Sequence, residues 1–132
     1  MAFEGHQFQF EKTSATGEFV SGWASVIEDD GELVIDFHDD AAEMSELRKA
    51  AHKFITNARQ AKLLHKGNRI GEVVESVLID DAFAEAHGIV HKKRGWWITM
   101  QVNDEDVRKR VRDGELRAFS IGGRGVRQPV EG

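Results

Sequence analysis

The spacing of apolar residues changes at Asp40, and the change commits the chain to a fold that mixes sheet with helix. Before it, FQFEK alternates Phe8 and Phe10 with polar residues. FVSGWASVI sets Phe19, Trp23 and Val26 in a β-rich run, and TSATGE between the two reads as a turn. GELVIDF, opened by Asp30-Gly31, is a third strand candidate. After the change, DDAAEMSELRKAAHKFITNARQ repeats Met44, Leu47, Ala51, Phe54 and Ile55 at three- and four-residue intervals, the pattern of an amphipathic helix. Asp39 or Asp40 can cap its first turn, and its early acids and later bases suit the helix dipole.

The β pattern then returns. AKLLHK and EVVESVLI are strand candidates separated by Gly67-Asn68, and DDAFAEAHG reads as a loop or a single helical turn. WWITMQV is the clearest strand in the chain. NDEDVRKRVRDG follows as a helix with Asn103 as its N-cap, acids in its first turn and Gly114 at its end. The last strand candidate is ELRAFSIGG, leading to RGVRQPV. The expectation is an α+β fold with a mostly antiparallel β-barrel or sheet core and two or three flanking helices. With 132 residues and 14.8 kDa, residues 1–132 are expected to form one domain around one core.

Composition removes several functions. A net charge of -5 argues against a domain built mainly to neutralise phosphates. With no cysteine, disulfides, thiolate catalysis and cysteine-based zinc sites are excluded. No apolar run approaches the roughly 20 residues that span a bilayer. MAFEGHQFQFEK has neither the basic start nor the apolar stretch of a signal peptide, so the expected location is the cytoplasm. No membrane partner and no cofactor are indicated.

Ser120 is the most interesting hydroxyl, because two glycines follow it after Ile121. Glycine there allows a sharp turn and frees N–H groups to face a developing oxyanion. The plain alternative is a hydroxyl that caps a strand end. A serine needs a base, and near neutral pH histidine serves best. His65 in LLHKGNRIGEVVES stands where an apolar segment runs out, with Glu72 and Glu75 downstream. His6, His38 and His52 have plainer settings. His87 and His91 in HGIVH have the spacing of a helical metal pair, but the residues between them disfavour a helix and no third ligand is obvious. Glu72 and Glu75, three apart in a strand, are expected on opposite faces. Glu75, between valines, is the acid more readily drawn into packing. It could orient an imidazole, or it could pair with Arg69 or Lys66 on the sheet face. RKRVR and RGVRQ could touch phosphate but read better as solvated surface, so nucleic acid is not the expected partner. Trp96 and Trp97 are expected on opposite faces, one in the core and one lining a cleft or a subunit contact.

The order and wording of LLHKGNRIGEVVES, GWWITMQVNDEDVRKRVRDGELRAFSIGG and the earlier GWASV resemble the prohead maturation serine proteases of tailed phages, specifically the XkdF-like group. FSIGG is the most specific piece, and the H…VVES block is the next. The resemblance implies a fold like the herpesvirus assemblin proteases. It implies a Ser/His endopeptidase that cuts scaffold and capsid-protein extensions inside an immature capsid, in the host bacterial cytoplasm. On this resemblance Ser120 is the nucleophile, His65 the general base and Glu75 the acid, with Glu72 as its alternative. Backbone N–H groups around Ile121, Gly122 and Gly123 would hold the oxyanion, with Arg124 supporting that region. Self-association, a dimer in the herpesvirus relatives, is implied as well. The rivals are a non-catalytic capsid-assembly protein of the same fold and a small nucleic-acid-binding barrel.

Overall fold

The computed structural model describes residues 6–33, 43–56, 62–65 and 68–122; for 6, 7, 62–65, 68, 69 and 120–122 it describes the path of the backbone. The alternating segments pair into one antiparallel sheet. Its strands are β1 (His6–Gln9), β2 (Lys12–Thr13), β3 (Phe19–Asp29), β4 (Glu32–Leu33), β5 (Lys62–His65), β6 (Asn68–Ile79), β7 (Lys93–Val102) and β8 (Ala118–Gly122). Interspersed are α1 (Met44–Thr56), α2 (Asp81–Ala86) and α3 (Glu105–Arg112). The strand order is β1-β8-β5-β6-β7-β3-β2, with β4 attached to β3. The β3–β4 hairpin turns on Asp30 and Gly31, both at positive φ (56° and 84°), the conformation a two-residue turn of this hand requires.

The α+β class is realised with an antiparallel sheet, and among the described residues that sheet does not close into a barrel: the strand order is an open path. The amino-terminal segment that would close it breaks at Phe10 and Glu11 into β1 and β2, which lie at opposite ends of that order. At the break, Phe10 N–H donates to the Arg117 carbonyl (3.2 Å) and Glu11 N–H to the Ser21 carbonyl (2.8 Å). One short segment therefore serves both edges and curls the sheet without zipping it shut.

The inner face carries the core. Val20 and Ala24 of β3, Trp96, Ile98, Met100 and Val102 of β7, and Phe8 and Phe119 of β1 and β8 pack with Leu47 and Ala51 of α1 and Val107 and Val111 of α3. Trp96 is fully buried, whereas Trp97 is half-buried against Trp23 (ring centroids 5.2 Å apart, edge on), as strand alternation requires.

Three local expectations change. DDAFAEAHG contains a six-residue helix, capped by Asp80 through Phe83 N–H (2.8 Å). The cap of α3 is Asp104, which accepts from Val107 N–H at 3.0 Å, and not Asn103. Asn103 N–H donates to the Ile70 carbonyl (2.6 Å), so that residue is still tied to the sheet. Glu72 and Glu75 share one face, because β6 bulges at Val74. Val73 pairs with Met100 and Glu75 with Thr99, so the extra residue resets the alternation. Asp39, Asp40, His38 and the end of GELVIDF lie outside the described residues.

Asp80 ties α2 to α1 as well, accepting from Arg48 at 3.1 Å. The Phe83 N–H, foremost, and the Arg48 guanidinium hold its carboxyl below the usual carboxylate range, against an opposing effect of burial. A depressed folded-state value means its stabilisation is fully present above about pH 4 and lost as pH falls through that value. Asp80→Ala should cost about 1 kcal/mol in urea unfolding at pH 7, the usual cost of losing a cap, and the gap to wild type should narrow toward pH 3.

Candidate active site

Folding brings Ser120 and His65 onto adjacent strands. β8 lies between β1 and β5, and Ser120 pairs with Gln7 on one side and Leu64 on the other. His65 is the next residue after Leu64 and the last of β5, where it pairs with Asn68 across the β5–β6 hairpin. A one-residue step across an antiparallel ladder sets the two α-carbons about 6 Å apart. Nothing local predicts this: β6, α2, β7 and α3 all intervene in the chain, and only the pairing of β8 with β5 closes the gap.

The bend expected at the glycines falls at Gly123 and beyond, outside the described residues. Ser120 sits inside β8, not at a turn, because the ladder continues through Ile121 (paired with His6 and Leu63) and Gly122 (paired with Lys62). A strand with a neighbour on each side commits its backbone groups to the sheet. Ile121 is paired on both sides and Gly122 on one. Gly123 and Arg124 lie outside the described residues.

Glu75 is not brought to His65. It stands seven residues beyond Asn68 on β6, about 20 Å along an extended strand, and is exposed. It pairs with Thr99 of β7. Glu72 is nearer: it pairs with Lys62 of β5, three residues from His65, and with Gln101 of β7. The neighbouring Gly71 lets β6 approach β7 so closely that a Cβ there would overlap the Gln101 carbonyl oxygen. Sequence spacing could not separate the two acids, because β6 slips register twice, opposite Leu63–Leu64 and at Val74.

The other candidates have structural partners. His87 terminates α2, contacts the Phe83 carbonyl through Nδ1 at 3.0 Å and stacks on the Phe83 ring, while His91 meets Trp23 edge on. They do not share a helical face. In RKRVR, Arg108 donates to the Val102 carbonyl (2.7 Å) and pairs with Glu18, Lys109 pairs with Asp113 and Arg110 with Glu115. Arg112 donates to the Thr16 carbonyl. These cations fasten α3 to the sheet and to its own end. RGVRQ lies outside the described residues.

One feature escaped the sequence reading. A cleft of about 440 Å³ opens on the outer face beside Glu75, lined by Lys12, Phe19, Ser21, Val74 and Thr99 among others. The alternation in FVSGW and WWITMQV, which turns Ser21 and Thr99 away from the core, was its only sequence signal.

The family model described as "Putative phage serine protease XkdF" matches residues 9–128. The chain belongs to the XkdF family. Among curated proteins, this XkdF-family chain is 36% identical over 90 residues to "Uncharacterized protein YqbD" of Bacillus subtilis (strain 168), a match covering 67% of the chain and 27% of that relative. The matched segment thus corresponds to about a quarter of the relative's length. No solved structure matches the chain significantly.

Proposed function

We propose that this XkdF-family chain is a serine endopeptidase of phage capsid maturation, with Ser120 as nucleophile and His65 as general base, on an assemblin-like fold. The observation that carries the reading is the pairing of β8 with β5, which sets the two residues one step apart on neighbouring strands. His65 is one residue out of step with the Leu64–Ser120 pair, so the reading requires its imidazole to leave the ladder's alternation.

Neutral His65 takes the Ser120 proton as Oγ attacks the scissile carbonyl carbon. Backbone N–H groups from Gly122 onward, with Gly123 and Arg124, stabilise the oxyanion. The intermediate then collapses as His65 protonates the leaving amine, and water, deprotonated by the same imidazole, hydrolyses the acyl-enzyme. The substrates are the scaffold and capsid-protein extensions of the assembling prohead, in the host bacterial cytoplasm, with self-association as part of that assembly.

The acid that orients His65 is Glu72 in this reading, since Glu75 lies too far along β6. Glu72→Gln should lower kcat by about 100-fold or more, whereas Glu75→Gln should act through KM. Steady-state cleavage of purified scaffold by each variant checks the assignment. A kcat collapse in Glu75→Gln alone would reverse it. Co-expression with scaffold and capsid protein, followed by mapping of new termini, tests the function as a whole; uncut substrates with correctly assembled proheads would count against it.

A further inference from the structure

Outside the Ser120 region, one row of side chains has no role yet. Glu75, Thr99, Ser21 and Lys12 stand directly opposite one another on four successive strands, β6, β7, β3 and β2. They form a line across the outer face of the sheet, with a carboxylate at one end and an ammonium at the other. Between them the hydroxyls of Ser21 and Thr99 bond each other at 2.8 Å. Among the described residues neither Glu75 nor Lys12 has a hydrogen-bond or ion-pair partner. The row floors the 440 Å³ cleft, within the usual size of a ligand site, and Phe19 (38% exposed) and Val74 (44% exposed) supply apolar walls. Val74 is the bulged residue of β6, and bulges re-aim side chains beside functional sites.

We infer that this cleft is an exosite for an extended peptide segment carrying a basic side chain toward Glu75 and an acidic one toward Lys12. The inference rests on the endopeptidase reading for the identity of the occupant, a stretch of substrate chain away from the cleaved bond. Two facts favour a peptide. The unpaired charges at the ends complement a segment of opposite polarity, and the middle offers hydroxyls and apolar walls but no third charge. The dimensions agree as well. Three inter-strand spacings of about 4.8 Å make about 14 Å, equal to four residue steps of about 3.4 Å along an extended chain, so residues i and i+4, which share a face, reach both ends together.

The test uses the 15N-labelled full chain bearing Ser120→Ala, so that no peptide is consumed, titrated with acetyl-Lys-Ala-Ser-Ala-Asp-amide. Shifts are expected at the amides of Ser21, Val74 and Thr99. Glu75→Gln should weaken binding by about 3- to 10-fold, the scale of one partly solvated charge pair, and Lys12→Gln similarly. With norleucine in place of the peptide's lysine, affinity should fall by the same factor and become insensitive to Glu75→Gln. Unperturbed cleft amides at millimolar peptide, or equal affinities for wild type and Glu75→Gln, would overturn the exosite. Binding is read without turnover, so this result and the assignment of Ser120 can fail independently.

Discussion

Ser120→Ala is expected to lower cleavage of co-expressed scaffold or capsid protein by at least about 10⁴-fold, with the fold intact. The size follows from the chemistry: without Oγ there is no acyl-enzyme, and only positioning and oxyanion stabilisation remain. His65→Ala should cost about as much, since a serine whose proton has no acceptor is a poor nucleophile near neutral pH. The double variant should be scarcely worse than either single one, because groups that act as a unit are not additive. Gel densitometry of the substrates gives the rates, and far-UV circular dichroism checks the fold. Wild-type cleavage by either variant would remove that residue from the mechanism.

The largest loss of stability is expected from Trp96→Ala. The side chain is wholly buried on β7, meets the Phe54 ring of α1 edge on at 5.5 Å and donates through Nε1 to Ser76 Oγ at 2.8 Å. It therefore links β7, β6 and the helix that covers them. Truncation opens a cavity and removes that hydrogen bond, costing about 3–5 kcal/mol, or roughly 10–15 °C in Tm for a chain of this size. Trp97→Ala, on the half-buried outer face, should cost much less. A Tm shift for Trp96→Ala no larger than that of Trp97→Ala would mean that Trp96 does not bind the layers together.

What the sequence disclosed follows from how local each signal is. WWITMQV shows its alternation within seven residues, so the strand and the division of labour between Trp96 and Trp97 could be read directly. The period of α1 and the acids and bases of α3 are equally local. Register is not. The bulge at Val74 that puts Glu72 and Glu75 on one face depends on how β6 meets β7. The loss of the Asn103 cap depends on a carbonyl of Ile70, 33 positions earlier. Whether the core is an open sheet or a barrel turns on where β1 and β2 part, at Phe10 and Glu11. The expectation that Ser120 and His65 act together leans on the family resemblance, since no spacing rule relates residues on β5 and β8. The same resemblance suggested Glu75, which the register of β6 sets opposite Thr99, farther from β5 than Glu72, which pairs with Lys62.

The most direct test treats the purified chain with a serine-reactive phosphonate and locates the adduct by peptide mass spectrometry, in wild type and in His65→Ala. The account predicts a single adduct on Ser120, formed many times more slowly when the imidazole is absent. An adduct on another serine, or labelling of Ser120 at one rate in both proteins, would contradict it.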